Sequence, residues 1–176
     1  SVSLSFGVYA QFETDKVTLY YDQEWRITAP EEGIYYLVGG LQTTSNNFNG
    51  PFSLFTDDNR MIASGNYNGG FKFGRFRFFY LNGQISSEGE YRGNRKKGLW
   101  RYYYPDGSDH QVVEFNRNDF SVLSFKDSLG HEHISNRSGD WYMILSFNQR
   151  AAVIRGHFER GQQSGKWTFS YMDGET

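Results

Sequence analysis

Two imidazoles one residue apart, His131 and His133, are the nearest approach to reactive chemistry in this chain. On a strand they would share a face, and with a third ligand such a pair can hold a divalent metal. A His-x-His pair alone does not make that site. Asp57-Asp58-Asn59 and Asp106-Gly-Ser-Asp109 offer oxygen ligands, but neither has the Asp-x-Asp-x-Asp-Gly order with a distal Glu that a calcium loop uses, and turn chemistry explains both. Gly65-x-x-x-Gly69-Gly70 opens a strand where a phosphate cradle needs a helix, and no Ser lies in a Gly-x-Ser-x-Gly elbow. Cysteine is absent, which excludes disulfides, thiol catalysis and thiolate metal sites. The expectation is a chain with no catalytic residues, no metal and no cofactor.

What remains for function is binding by aromatic and basic side chains. Rows of Tyr and Trp stack on sugar rings or act as anchors in protein interfaces. Phe76, Phe78, Trp100, Tyr102, Trp167 and Phe169 read as rings that bury one another. Phe55, Phe79 and Tyr103 alternate to the opposite face, flanked by Arg77 and Arg101, and these five form the candidate partner-binding stripe. The formal net charge of −2 gives no footprint for nucleic acid. Charge is nevertheless uneven: residues 13–32 are acidic through Glu13, Asp15, Asp22, Glu24, Glu31 and Glu32, whereas 65–104 are basic. Most of that excess sits in Arg92, Arg95, Lys96, Lys97 and Arg101, read as a solvated turn able to touch an anionic surface.

The elements that position these residues follow from composition and period. Only 38 % of the chain is hydrophobic while 19 % is aromatic, so rings must supply the core. No capped 3.6-period stretch is present, and Tyr, Phe, Val, Ile and Thr favour pleated strands, so the chain is expected to be all-β with little or no helix. Self-similarity settles the arrangement. Gly65-Asn-Tyr67 and Gly74-Arg-Phe76-Arg-Phe78-Phe-Tyr80-Leu-Asn82-Gly83 recur 24 residues later as Gly89-Glu-Tyr91 and Gly98-Leu-Trp100-Arg-Tyr102-Tyr-Tyr104-Pro-Asp106-Gly107. A weaker copy, Gly50-Pro-Phe52 to Asp58-Asn59, puts Asn59 in place of the turn glycine. Gly156-His-Phe158 and Gly165-Lys-Trp167-Thr-Phe169-Ser-Tyr171-Met-Asp173-Gly174 restore the pattern near the C-terminus. Asn82-Gly83, Asp106-Gly107 and Asp173-Gly174 read as type I′ hairpin tips. The connection around Gly93–Gly98 is expected to reverse the chain, with Asn94, Arg95, Lys96 and Lys97 in water and Gly98 in a conformation glycine adopts readily.

Each unit is then two short strands, and neighbours stack edge to edge into an elongated single open sheet. The chain divides into an N-terminal strand or cap segment at 1–40, three tandem repeats at 41–112, degenerate repeats at 113–155 and an incomplete repeat at 156–176. In the degenerate part Leu129-Gly130 falls one residue short of register. The C-terminal edge is expected to pair with another chain or with a continuation. Residues 1–10 admit two readings. Val2, Leu4, Phe6, Val8 and Ala10 alternate as in a strand, and Val8-Tyr9-Ala10 has the small-residue spacing of a signal-peptide end, which would place the protein outside the cytoplasm. No other run approaches the ~18 apolar residues of a membrane span.

The order Gly-x-Tyr, Gly-x-Trp, Tyr-x-Tyr, Asn/Asp-Gly resembles the variant MORN repeats of bacterial proteins, including a family of toxin–antitoxin antitoxin repeats. The likeness is carried by Gly74, Phe76, Tyr80, Gly83, Gly98, Trp100, Tyr104, Gly107, Gly165, Trp167, Tyr171 and Gly174. It implies an elongated β-sheet for protein contact or scaffolding in the cell envelope, periplasmic, outer-membrane associated or secreted, with no shared active site. A glycan-binding module using exposed aromatics, and an antitoxin or immunity protein, are the alternative readings.

Overall fold

Alternating aromatics between turn residues build hairpins, and in the computed structural model, which describes residues 14–147 and 149–172, the hairpins join into one sheet. Its strands are β1 (Thr14–Tyr21), β2 (Ile27–Thr28), β3 (Tyr35–Gln42), β4 (Asn47–Thr56), β5 (Met61–Asn68), β6 (Phe71–Phe79) and β7 (Ile85–Arg92). They continue as β8 (Arg95–Tyr103), β9 (Asp109–Phe115), β10 (Phe120–Lys126), β11 (Glu132–Ser135), β12 (Ser138–Phe147), β13 (Arg150–Glu159) and β14 (Gln162–Tyr171). The sheet is antiparallel and open, in the order β14 back to β3, then β1 and β2. The one helical element among the described residues is a 3-10 turn, Pro30–Glu32, so the all-β reading holds. No helix there is long and apolar enough to cross a membrane. The alternating segment 2–10 and the Asp173-Gly174 pair lie outside the described residues. The boundaries drawn at 40, 112 and 155 fall inside β3, β9 and β13, so the sheet runs through them.

Register fixes the two faces, because directly opposed residues in an antiparallel ladder share a face. Phe52 lies opposite Gly65, Phe76 opposite Gly89 and Trp141 opposite Gly156, while Gly50 faces Tyr67 and Gly74 faces Tyr91. Large and small residues thus alternate across each pair on an inner face. The rings form an edge-to-face ladder. Phe76 meets Tyr91 at 4.8 Å and 70°, Tyr91 meets Trp100 at 5.1 Å and 81°, and Phe158 meets Trp167 at 5.4 Å and 88°. Such tilted pairs add ~0.5–1.5 kcal/mol beyond area burial. Phe76 and Trp100 are fully buried in one cluster, Phe125 and Ile134 in a second, and Tyr102 and Phe115 pack against both.

Phe169 departs from the expected burial: it is 47 % exposed, because β14 has no described strand beyond it. Tyr80 and Tyr104 fall just past the ends of β6 and β8 and are half-buried. They leave the ladder and donate their hydroxyls to the next unit's backbone, Tyr80 to Tyr103 O at 2.8 Å and Tyr104 to Lys126 O at 2.9 Å.

The turns correct the expected chemistry. Asn82 and Asp106 do not have positive φ, whereas Gly83 and Gly107 do, at 86° and 87°. Tyr80 N donates to Gln84 O and Gly83 N to Tyr80 O, which describes a type I turn closed by a left-handed glycine, not a type I′ pair. The same pattern recurs at Thr56–Arg60 with Asn59 in the left-handed position, at Tyr104–Ser108, and at Asp127–His131 with Gly130. Gly130 therefore does the work of Gly107 despite its one-residue offset.

Two successive positive-φ residues appear instead at the other ends of the hairpins: Gly69-Gly70, Gly93-Asn94, Asn136-Arg137 and Arg160-Gly161. Because β8 already begins at Arg95, Lys96 and Lys97 belong to a strand. Gly98 lies within that strand at φ 63°, beside a register shift, so the expected need for glycine is met by a bulge.

Short β11 leaves part of β10 without a ladder partner on that side. Turn backbone fills the gap: Arg137 N donates to Leu123 O at 3.0 Å and Val122 N to Gly161 O at 3.0 Å. Gln162 Nε2 donates to Phe120 O at 2.9 Å and to the buried Ser121 hydroxyl at 2.9 Å, so the β13–β14 tip folds onto β10.

Candidate functional site

Arg77, Arg101, Phe79 and Tyr103 all lie on the outer face, placed there by alternation against Phe76, Phe78, Trp100 and Tyr102. Register puts Arg77 opposite Glu88 and Glu88 opposite Arg101, a row across β6, β7 and β8. Glu88 is its centre. Arg75 Nη2 donates to Glu88 Oε2 at 2.6 Å, Arg77 Nε to the same oxygen at 3.3 Å, and the Tyr103 hydroxyl to Oε1 at 3.3 Å. The Arg75 hydrogen bond, more than that of Arg77, holds the Glu88 carboxyl below its ordinary range against the opposing effect of burial. Burial first, then the Glu88 charge, pushes the Tyr103 phenol up. Arg101 makes no ion pair among the described residues. A hollow of about 230 Å³ opens here, lined by Arg75, Glu88, Glu90, Leu99 and Arg101.

The fifth stripe residue is set apart. Phe55 stacks on Tyr36 at 5.0 Å and 15°, and Tyr36 continues to Tyr20 at 6.0 Å. It borders a hollow of about 610 Å³ with Lys16, Val38, Pro51 and Ser53. With β5 between their strands, Phe55 and the Arg77 row form two neighbouring patches. Glu88 and Arg75 were not singled out from the sequence. The available signal was alternation, since Arg75 and Arg77 flank Phe76 while Glu88 and Glu90 flank Gly89.

The histidine pair is committed elsewhere. His131 Nδ1 and His133 Nε2 each stand 3.0 Å from Asp127 Oδ2, and Asp127 Oδ1 accepts from the backbone of Leu129 and His131. The His133 contact is the largest cause holding the Asp127 carboxyl far below the usual range. The three side chains clasp the Gly130 hairpin. Among the described residues no group of three or more His, Asp and Glu is arranged to hold a metal.

Lys96, read from the sequence as solvated, is half-buried on the inner face. Its ammonium stands 4.3 Å from the Trp100 ring centre and 5.3 Å from that of Phe115, and donates to the Tyr102 hydroxyl at 2.7 Å. Burial, then repulsion from Lys72, lowers its pKa. Lys72, one repeat earlier, lies 5.1 Å over Tyr91 in the same way. No family model, curated protein or solved structure matches this chain.

Proposed function

We propose that the chain is a non-catalytic interaction module whose outer face, around Phe79, Arg77, Arg101 and Tyr103, receives a protein partner. The observation that carries this reading is the Glu88 hub. It holds two arginines and a tyrosine in fixed positions on an accessible face, so little side-chain entropy is lost when a partner docks. Arg and Tyr are also the residue types that anchor interfaces. The motif resemblance to variant MORN repeats points the same way, and the signal-like spacing at Val8-Tyr9-Ala10 favours a site of action in the cell envelope.

The test is affinity capture from envelope and cytosolic fractions of the native host, comparing wild type with a Phe79→Ala/Tyr103→Ala double variant of matched thermal stability. A stoichiometric protein retained by wild type and lost by the variant supports the module, its face and, through the fraction, its compartment. Equal capture by both places the contact elsewhere and overturns this reading.

A further inference from the structure

The outer face carries a second set of cations that the Glu88 hub does not hold. Register sets Arg92 between Phe73 of β6 and Arg95 of β8, sets Glu90 between Arg75 and Lys97, and sets Leu99 opposite Glu114. Alternation thus continues the Arg77–Glu88–Arg101 row toward the Gly93-Asn94 turn, with all of these side chains on one surface. None of Arg92, Arg95, Lys97 and Arg101 makes an ion pair or a side-chain hydrogen bond among the described residues. Arg92 and Arg95 are, moreover, like charges directly across the ladder, a pairing that costs stability unless an anion sits between them.

The acids of β6 to β9 do not supply that anion. Glu88 is committed to Arg75, Arg77 and Tyr103, Glu114 to Arg137 at 3.3 Å and Asp109 to Lys126 at 3.6 Å. Glu90 is what remains against four cations. Apolar side chains share the surface with them: Phe71, Phe73 and Leu99 are 57, 46 and 48 % exposed. Exposed apolar groups rimmed by charge mark protein contacts, and arginine clusters take carboxylates as paired hydrogen bonds. A nucleic-acid strand would lay a phosphate at every step, over Glu90 as well as over the arginines, whereas a peptide can set an uncharged or basic residue there.

We propose that this outer-face patch takes an acidic peptide segment of the protein partner, its carboxylates on Arg92, Arg95, Lys97 and Arg101 and its apolar side chains against Phe73 and Leu99. The assignment names the chemistry of the partner at the outer face and rests on the reading of that face as a protein contact.

The experiment is selection from a random dodecapeptide phage library on the immobilised whole chain. Fluorescence anisotropy then measures the enriched peptides, and a twelve-nucleotide oligothymidylate, against wild type, Arg92→Glu/Arg95→Glu, Phe73→Ala and Phe79→Ala/Tyr103→Ala. The first two variants alter exposed side chains, the glutamate pair keeps like charges opposed as in wild type, and circular dichroism checks that each variant folds. The expected peptides carry Asp and Glu interspersed with apolar residues. They should lose about tenfold or more in affinity for Arg92→Glu/Arg95→Glu and for Phe73→Ala, and bind the charge-reversed variant again when their acids are exchanged for Lys. Enriched peptides without acids, acidic peptides that bind the charge-reversed variant as tightly as wild type, or oligothymidylate bound more tightly than any peptide overturn the proposal. Non-acidic peptides that Phe79→Ala/Tyr103→Ala abolishes leave the outer-face contact standing and sink its acidic specificity. Absence of any enriched peptide overturns the proposal too, while the capture comparison decides the outer-face contact separately.

Discussion

Gly89 and Trp100 lie on adjacent strands, and a Cβ built on the glycine would stand 2.4 Å from Cδ2 of the indole. The ring lies across bare backbone. Gly65 under Phe76, at 2.7 Å, and Gly156 under Trp167, at 2.2 Å, repeat the arrangement. The glycine of each Gly-x-Tyr or Gly-x-Phe motif is thus a shelf for the next aromatic, a role set by close approach and not by a turn. Gly89→Ala is expected to lower unfolding free energy by ~1–3 kcal/mol through overpacking. Urea denaturation followed by tryptophan fluorescence checks this, with Ser87→Ala as the neighbouring control.

Gly98 matters for a different reason, since its φ of 63° is strained for a side chain whatever space surrounds it. Gly98→Val is expected to be destabilising by ~1–3 kcal/mol. Lys97→Val, one residue away on an exposed strand position, should stay within ~0.5 kcal/mol. Equal midpoints for the two variants in chemical denaturation would refute a backbone role for Gly98.

The two tryptophans of the shelf motif differ in their indole N–H. That of Trp100 donates to Glu90 O at 3.1 Å, whereas that of Trp167 is buried and has no partner among the described residues. Trp100→Phe therefore removes a hydrogen bond and leaves a gap in a fully buried site, an expected loss of ~1–3 kcal/mol. Trp167→Phe removes an unsatisfied donor and should cost less than ~1 kcal/mol. Paired denaturation curves decide the order.

Asp127 gives the fold an acid-sensitive point. Its carboxyl titrates lower in the folded chain than the ordinary 3.8, so its contribution is fully present above that value and is lost as pH falls below it toward the folded pKa. The urea midpoint of wild type should therefore decline between about pH 4 and pH 2. Asp127→Asn should start lower at neutral pH and show a shallower decline.

Much of this architecture is legible in the chain because the repeat records both backbone and side-chain periodicity. Gly74-x-Phe76 and Gly98-x-Trp100 announce strands, a shared face and their spacing together. The turn types were not legible from the dipeptides, because Asn82-Gly83 acquires its conformation from the five-residue span Tyr80–Gln84 that register imposes. Lys96 looked solvated because its charge is visible in sequence, while the seat of its ammonium over the Trp100 ring follows from cross-strand register, which sets it opposite Tyr91 on the inner face. Glu88 has no counterpart in the repeat pattern. Its importance arises from cross-strand neighbours 11 and 15 residues away, Arg77 and Tyr103.

The strand order also bears on how the chain reaches this state. Apart from the exchange that sets β1 between β2 and β3, each ladder joins elements adjacent in sequence, so closing one hairpin fixes only a short loop. Folding can begin at any well-formed pair and zip outward, and loss of structure travels inward from the edges, leaving the β6–β8 aromatic stack as the last to open. The seating of the β13–β14 tip on β10, where Gln162 meets Phe120 42 residues away and Gly161 meets Val122, is an exception. It ties the C-terminal hairpin to the middle of the chain, so β10 to β14 gain cooperativity that nearest-neighbour pairing alone would not give.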